Sequence, residues 1–239
     1  MLVVGGDSYS CWPAEEFDGN RNRCWPAITA KKLKLNLVDY ARAGCSNDRI
    51  FRYCMPETLN KDTSIVVIFW SSFSRFEVGY QGKVEQIMPG AKTSVLPKDF
   101  IANNVDLYLQ HCKNLLYMIS VQESCKKNNI IFLQKNMSTS DCWWDNTYET
   151  FCNFMKEANL FDFLSDNQIL EKYRYLENLY SKIDNNTIIG NRNESLQSLI
   201  DTSKEFHNHP TYKGHQQMSD LVIGCIKKQM QGTHHGKTV

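Results

Sequence analysis

Short apolar runs alternate along the chain with longer amphipathic stretches, a pattern typical of a parallel sheet covered by helices. The clearest strand is predicted over residues 64–70 (SIVVIFW), which are uncharged and mostly β-branched, as in a strand buried on both faces. Shorter strands are predicted over residues 2–4, 35–38 and 130–133. We therefore expect an α/β protein with a central parallel sheet.

Four segments have the features of helices. Helical spacing of apolar residues is clearest over residues 105–127, and a final helix is predicted over residues 213–230. A helix over residues 26–34 has proline in its first turn. Ser46 is a good N-cap for a fourth helix that reaches about residue 59.

The other segments indicate one domain with an insertion. Residues 143–200, rich in Phe, Tyr and Leu, are interpreted as several helices inserted before the last core element, as an insertion or lid. Residues 78–100 contain glycines and prolines and are predicted to form an irregular connection that folds over a site. Because no linker or repeat is found, we predict a single domain over residues 1–231 and a flexible tail over residues 232–239.

Charge and cysteine content narrow the function classes. The 27 basic and 26 acidic residues nearly cancel, so neither nucleic acid nor a membrane is expected as a partner. The nine cysteines are scattered without zinc-ligand spacing, which favours free thiols in a reducing compartment. There is no signal-peptide pattern and no apolar run of ~18 residues, so we expect a soluble cytoplasmic protein.

The first candidate for chemistry is Gly6-Asp7-Ser8, directly after the first predicted strand. A serine at the carboxyl end of a parallel strand lies where open α/β sheets bind their ligands. Its backbone N–H can also point toward a developing oxyanion. The same residues suit a helix N-cap, and the sequence leaves both interpretations open.

Two further segments carry candidate residues. His209, followed by proline just before the last helix, is well placed as an oriented base. Zinc binding through His207, His209 and His215 is conceivable but lacks a fourth ligand, so no metal is expected. Gly44, between the second strand and its helix, would let the backbone approach a substrate closely, although a glycine before a helix is also common for structural reasons.

In this order, the segments GDS, Gly44 and HPTYKGH resemble the SGNH/GDSL hydrolases. More narrowly, GDSYSCWP, ARAGCSNDRI and WSSFSRFE resemble a subgroup associated with bacteriophages. The resemblance implies a flavodoxin-like three-layer α/β/α sandwich that hydrolyses an ester or acetyl group without a cofactor. It implies that Ser8 is the nucleophile, that His209 is the base, and that the Ser8 and Gly44 N–H groups form the oxyanion hole.

Two departures from the family pattern concern supporting groups. The family's oxyanion asparagine has no counterpart after the third strand, where Ser72 or Ser71 could donate instead, or Asn47 from the neighbouring loop. The family's aspartate, three residues before the histidine, is replaced by Phe206. The orienting acid could then be Glu205 or Asp201, or Asn208 could orient the ring without a charge.

Three residues near the predicted site are candidate substrate contacts, namely Asp7, Trp70 and Arg75. Arg75 could instead pair with Glu77, either to support the site loops or as an ordinary surface ion pair. Trp12, Trp25 and Trp70 could form an apolar or sugar-stacking wall, although the hydrophobic core is favoured for Trp25.

The leading hypothesis is a serine esterase that removes a small acyl group, with an acylated glycan as one candidate substrate. The alternative is a weakly active or inactive module of the same fold used for binding, with phage-particle association left open. A phosphate or nucleotide site is disfavoured because the chain has no Gly-rich phosphate loop and no paired carboxylates for magnesium. The oligomeric state is not predicted.

Overall fold

The computed structural model describes residues 1–11, 21–80, 83–87, 106–136, 148–157, 164–191, 196–204 and 208–234. Its strands are β1 (Leu2–Gly5), β2 (Leu37–Asp39), β3 (Ile65–Trp70), β4 (Phe76–Tyr80), β5 (Lys83–Ile87), β6 (Ile131–Asn136), β7 (Thr202–Ser203) and β8 (His209–Pro210). Its α-helices are α1 (Ser8–Cys11), α2 (Trp25–Leu33), α3 (Asn47–Glu57), α4 (Leu107–Lys127), α5 (Tyr148–Glu157), α6 (Asp166–Ser181), α7 (Leu196–Leu199) and α8 (Tyr212–His234).

The central sheet has four parallel strands in the order β2-β1-β3-β6. Val3 on β1 pairs with Val38 on one side and with Val66 on the other, and Val66 pairs in turn with Phe132. Strand β1 therefore lies inside the sheet, with β2 on one side and β3 followed by β6 on the other. In open α/β sheets the point where the strand order reverses is a crevice at the carboxyl ends of the strands, which is where ligands bind.

Helices cover both faces of this sheet, as expected for three layers. Ile68 and Trp70 of β3 lie in a core with side chains of α3, α4 and α6. Val67 and Phe69 lie in a second core with α2 and α8. Because successive strand residues point to opposite faces, a strand apolar at every position fits between two helical layers. The predicted α/β sandwich with a parallel sheet is confirmed.

The helix starts follow their capping residues. Ser46 has extended backbone, and its Oγ accepts the Arg49 N–H at 3.2 Å, which confirms the predicted N-cap of α3. Asp106 caps α4 in the same way, accepting the Leu109 N–H at 3.1 Å. Helices α5 and α6 lie within the predicted insertion, and Ser165 begins α6 with a capping box.

Three segments differ from the sequence-based expectation. Part of the connection predicted to be irregular is an antiparallel hairpin of β4 and β5, in which Phe76 pairs with Ile87 and both side chains are buried. Ile188 bridges to Gln134 in parallel, so the chain adds a short fifth position beside β6. Helix α8 runs to His234 and so includes the first residues of the predicted flexible tail.

Two further observations concern the cysteines and the helices. The cysteines of the described segments are free thiols. Burial raises the pKa of Cys11 and of Cys45 to about 12, so both are neutral near pH 7. None of the helices in these segments is long and apolar enough to cross a membrane.

Candidate active site

The turn that carries Ser8 follows β1 directly. Asp7 Oδ1 accepts the Tyr9 N–H at 2.9 Å, and the Asp7 carbonyl accepts the Ser10 N–H at 3.0 Å. Asp7 therefore caps α1, and the Ser8 hydroxyl is left for another partner. A Cβ on Gly6 would lie 2.4 Å from Ser10 Oγ and 3.1 Å from Ser10 Cβ, so a larger residue there would displace the Ser10 side chain. The helix cap is therefore Asp7, and the neighbouring Ser8 is the residue considered for chemistry.

The partner of Ser8 is His209, brought from 201 residues away. His209 Nε2 lies 2.8 Å from Ser8 Oγ. The imidazole also stacks on the Tyr9 ring, with centroids 5.1 Å apart and planes inclined by 30°. Sequence reasoning did not find the Tyr9 contact, because only the fold brings the two rings together.

A short hairpin positions the His209 backbone. His209 pairs with Ser203 in the antiparallel β7–β8 pair, and the Asn208 N–H donates to the Ser203 carbonyl at 2.9 Å. Asn208 has a φ of 59°, in the left-handed region that asparagine adopts more readily than most residues. The hairpin thus fixes the direction from which the imidazole reaches Ser8.

Gly214 and His215, the last two residues of the HPTYKGH segment, are buried in the fold. A Cβ on Gly214 would lie 2.1 Å from the Asp201 carbonyl oxygen, so α8 packs against this loop only with glycine. His215 is fully buried, and its Nδ1 accepts the Trp25 N–H at 3.2 Å at the start of α2. No group of three potential metal ligands occurs among the residues that the structure describes, and His207 lies outside them.

Asp201 and Glu205 are the two acidic candidates for orienting His209, and only Asp201 lies within the described residues. Asp201 Oδ2 accepts the Thr211 hydroxyl at 2.5 Å, and its carbonyl accepts the Thr211 N–H at 3.1 Å. This carboxylate therefore supports the residue that precedes α8. Glu205 lies outside the described residues, so its assignment as the orienting acid stays a prediction.

The loop that carries Gly44 is bound to the Ser8 turn. The Tyr40 N–H donates to the Val4 carbonyl at 2.9 Å, and the Arg42 N–H donates to the Gly6 carbonyl at 3.1 Å. Gly44 has a φ of 70°, which favours glycine. The N–H groups of Ser8 and Gly44 donate to no residue of the described segments, so their assignment to the oxyanion hole stays a prediction.

Two predicted oxyanion donors have other partners. Asn47 is 2% exposed, and its amide bonds to both backbone groups of Ser71, donating to the carbonyl at 2.9 Å and accepting the N–H at 2.8 Å. Ser72 Oγ lies 2.6 Å from Ser74 Oγ within its own turn. The expectation for Asn47 is therefore corrected: its amide joins two loops instead of facing a substrate.

The predicted substrate contacts at Asp7 and Trp70 are corrected as well. Trp70 is 1% exposed, and its indole N–H donates to Gln134 Oε1 at 2.8 Å inside the core. Asp7 is also 1% exposed. Neither side chain has surface to offer a substrate, and Trp12 lies outside the described residues.

Arg75 pairs with Asp7, not with Glu77. Arg75 Nη1 donates to Asp7 Oδ2 at 2.9 Å, whereas Glu77 forms its ion pair with Arg52. Burial raises the pKa of the Asp7 carboxyl, and the Tyr9 N–H and the Arg75 charge oppose that rise. The ion pair thus lies directly beneath the Ser8 turn.

A scan of protein-family models and a search of curated proteins both give no match. Among solved structures, the chain is similar to one described as a lipolytic protein of the G-D-S-L family from Desulfitobacterium hafniense, at 16% identity and a TM-score of 0.49, covering 94% of this chain and 98% of that one. It is also similar to TesA, at 12% identity and a TM-score of 0.48, covering 95% and 98%. The psychrotrophic esterase EstA from Pseudoalteromonas sp. matches at 11% identity and a TM-score of 0.47, covering 96% and 98%.

At these identities and TM-scores the similarity carries no argument about family or reaction, so the reaction has to be argued from the site. The resemblance to a bacteriophage subgroup stays a prediction.

Proposed function

We propose that this chain is a serine esterase that removes a small acyl group from an alcohol. The observation that carries the proposal is the 2.8 Å contact between Ser8 Oγ and His209 Nε2 at the carboxyl edge of a parallel sheet. A hydroxyl becomes a useful nucleophile when an adjacent base can take its proton. The N–H groups of Ser8 and Gly44, which donate to no residue of the described segments, are the proposed donors to the oxyanion, the second requirement of acyl transfer.

The reaction follows from these positions. Ser8 Oγ attacks the acyl carbon while His209 Nε2 takes its proton, and the negative charge moves to the carbonyl oxygen, facing the Ser8 and Gly44 N–H groups. The tetrahedral intermediate collapses, His209 protonates the leaving alcohol, and the acyl group stays on Ser8. Water, deprotonated by His209, then attacks the acyl carbon. The second tetrahedral intermediate collapses with cleavage of the bond to Ser8 Oγ, His209 returns the proton to Oγ, and the carboxylic acid leaves. No cofactor takes part in this scheme.

The proposed substrate is a small, neutral acyl ester such as an acetyl ester, and an acetylated glycan is the first natural candidate. This choice rests on the resemblance of the motifs, since no described tryptophan faces the site. The cytoplasm is the proposed location.

A second candidate is a binding module of the same fold with weak or no turnover. The position of Asn47 favours it, because that amide is committed to Ser71 and the oxyanion would have two donors instead of three. Losing one such donor costs about 10²–10³-fold in turnover. The two candidates thus differ in rate over a range that an assay can resolve.

The test is covalent labelling by a fluorophosphonate probe together with hydrolysis of p-nitrophenyl acetate. We expect wild-type protein to be labelled at Ser8, and both Ser8→Ala and His209→Ala to lose labelling and turnover. Ser120→Ala is the matched control, because that hydroxyl bonds to its own helix at the Leu116 carbonyl, 2.7 Å away on α4. Absence of labelling and turnover from pH 5 to 9, in folded wild-type protein, would contradict the esterase and favour the binding module.

A further inference from the structure

A buried polar network lies beneath the Ser8 turn, and the proposed reaction does not use it. Asp7 Oδ2 accepts Arg75 Nη1 at 2.9 Å and the Ser71 hydroxyl at 3.3 Å. Arg75 Nη1 also donates to Ser71 Oγ at 3.0 Å. The network therefore joins the loop after β1 to the loop after β3.

Charge balance makes Arg75 necessary to this network. A buried carboxylate is costly unless an opposite charge and hydrogen bonds compensate for it. Arg75 is the one cation that forms an ion pair with Asp7 within the described segments, and its side chain is 30% exposed, so its own charge stays partly solvated. Removing the guanidinium would leave Asp7 either charged and uncompensated or protonated.

The same carboxylate determines the geometry of the turn. Its other oxygen, Oδ1, accepts the Tyr9 N–H, and Ser8 lies between these two residues. The Tyr9 ring in turn stacks on the imidazole of His209. A shift of the Asp7 carboxylate would therefore move the nucleophile and disturb the stacking partner of the base together.

We propose that Arg75 is a positioning residue that fixes the Ser8 turn and the Tyr9–His209 stack through Asp7. Nη1 is shared between two protein acceptors, and the Arg75 N–H closes its own loop on the Ser72 carbonyl at 3.1 Å. Arg75 is thus tied to the protein at both ends. The inference rests on the proposed esterase function, since positioning has meaning for a reaction at Ser8.

The kinetic test compares Arg75→Met, Arg75→Lys, Asp7→Asn and the double variant with wild type on p-nitrophenyl acetate. We expect Arg75→Met to lower kcat about 10- to 100-fold, the effect of a small misplacement of reacting groups, with KM changed less than about 3-fold. Arg75→Lys should recover part of the loss because it restores the charge. The double variant should be no slower than Asp7→Asn alone, because both changes interrupt one connection.

Arg52→Met is the matched control. This arginine pairs with Glu77 on the neighbouring hairpin and does not contact Asp7, so kcat should stay at the wild-type value. A rise in KM with unchanged kcat in Arg75→Met would overturn the inference in favour of substrate contact. Additive losses in the double variant would overturn it as well, since the two residues would then act independently.

A stability measurement separates this inference from the proposed function. Within the described segments, the titratable or charged groups that interact with Asp7 are Arg75, His209 and the thiols of Cys11 and Cys45, which stay neutral between pH 4.5 and 7.5. Without Arg75 the Asp7 pKa rises further, so Arg75→Met should lose more stability at pH 7.5 than at pH 4.5, measured as the urea midpoint. The difference should vanish when Asp7 is Asn. An equal loss at both pH values would overturn the inference even if wild type proved to hydrolyse no ester.

Discussion

The protein contains two imidazole–hydroxyl pairs in different surroundings. His209 Nε2 lies 2.8 Å from Ser8 Oγ at the edge of the sheet, and His111 Nε2 lies 2.5 Å from the Tyr180 hydroxyl between α4 and α6. Both pairs join residues far apart in the chain. By the contact alone they could not be told apart as candidate sites.

Their surroundings distinguish them. Ser8 begins a helix, where backbone N–H groups have no partner within the helix, whereas Tyr180 lies in the last turn of α6 with its N–H in the helical ladder. His111 is buried, with Phe73 edge-on to its ring at 5.0 Å, and burial lowers its pKa to about 3. Ser8 and His111 are both buried, but His209 is partly exposed. The Ser8–His209 pair is therefore the one we propose to act on a substrate, and the His111–Tyr180 pair is expected to stabilise the fold.

The largest effect is expected from removing one hydroxyl of each pair. Ser8→Ala should lower turnover of p-nitrophenyl acetate by about 10³-fold or more, as loss of a nucleophile does, with the free energy of unfolding almost unchanged. Tyr180→Phe should do the reverse: turnover stays, and stability falls by about 1–3 kcal/mol because a buried imidazole nitrogen loses its partner.

Parallel kinetics and urea denaturation of these two variants check this prediction. The comparison fails if Tyr180→Phe lowers turnover as strongly as Ser8→Ala. It also fails if Ser8→Ala is the more destabilising of the two.

The sequence indicated the sheet better than it indicated the network around the site. The uncharged run that forms β3 and the order of Ser8, Gly44 and His209 both follow from local patterns. The burial of Trp70 could have been predicted too, since alternation along a strand places it on the same face as Ile68. The partner of Arg75 could not, because Glu77 is nearer in sequence and only the folded sheet brings Asp7 within 2.9 Å.

A second prediction disturbs one imidazole and leaves the other in place. In Gly214→Ala the new Cβ would lie 2.1 Å from the Asp201 carbonyl oxygen, so the hairpin that carries His209 must move. We expect about 100-fold lower turnover from the misplaced base and about 1–3 kcal/mol lower stability from overpacking. Steady-state kinetics and thermal unfolding measure the two effects.

Gly224→Ala is the control for this substitution. Gly224 lies on the same helix, and its added Cβ would have no heavy atom within 4 Å. It should gain about 0.5–1 kcal/mol, because alanine favours the helix over glycine, with turnover unchanged. Equal losses of turnover in the two variants would mean that the packing of Gly214 does not position His209.

The third prediction concerns pH and the buried pair. The folded-state pKa of His111 lies below the unfolded value, so its protonation opposes folding, and stability present above the unfolded pKa is lost as pH falls below it. Between pH 7 and pH 5 this residue should cost about 2 kcal/mol. The stability difference between wild type and His111→Gln should therefore shrink by that amount on acidification, measured by urea denaturation. A difference independent of pH would show that His111 is not held neutral by burial.

The smallest effect is expected from two glycines with the same backbone geometry. Gly44 and Gly190 both have a φ of 70°, so alanine at either position should cost about 1–2 kcal/mol in stability. Gly44 lies in the loop bound to the Ser8 turn, whereas Gly190 follows the segment that bridges to β6. If the Gly44 N–H binds the oxyanion, Gly44→Ala should also lower turnover, by about 10-fold for a shifted donor, and Gly190→Ala should not. Equal turnover in both variants, at equal loss of stability, would exclude Gly44 from the oxyanion hole.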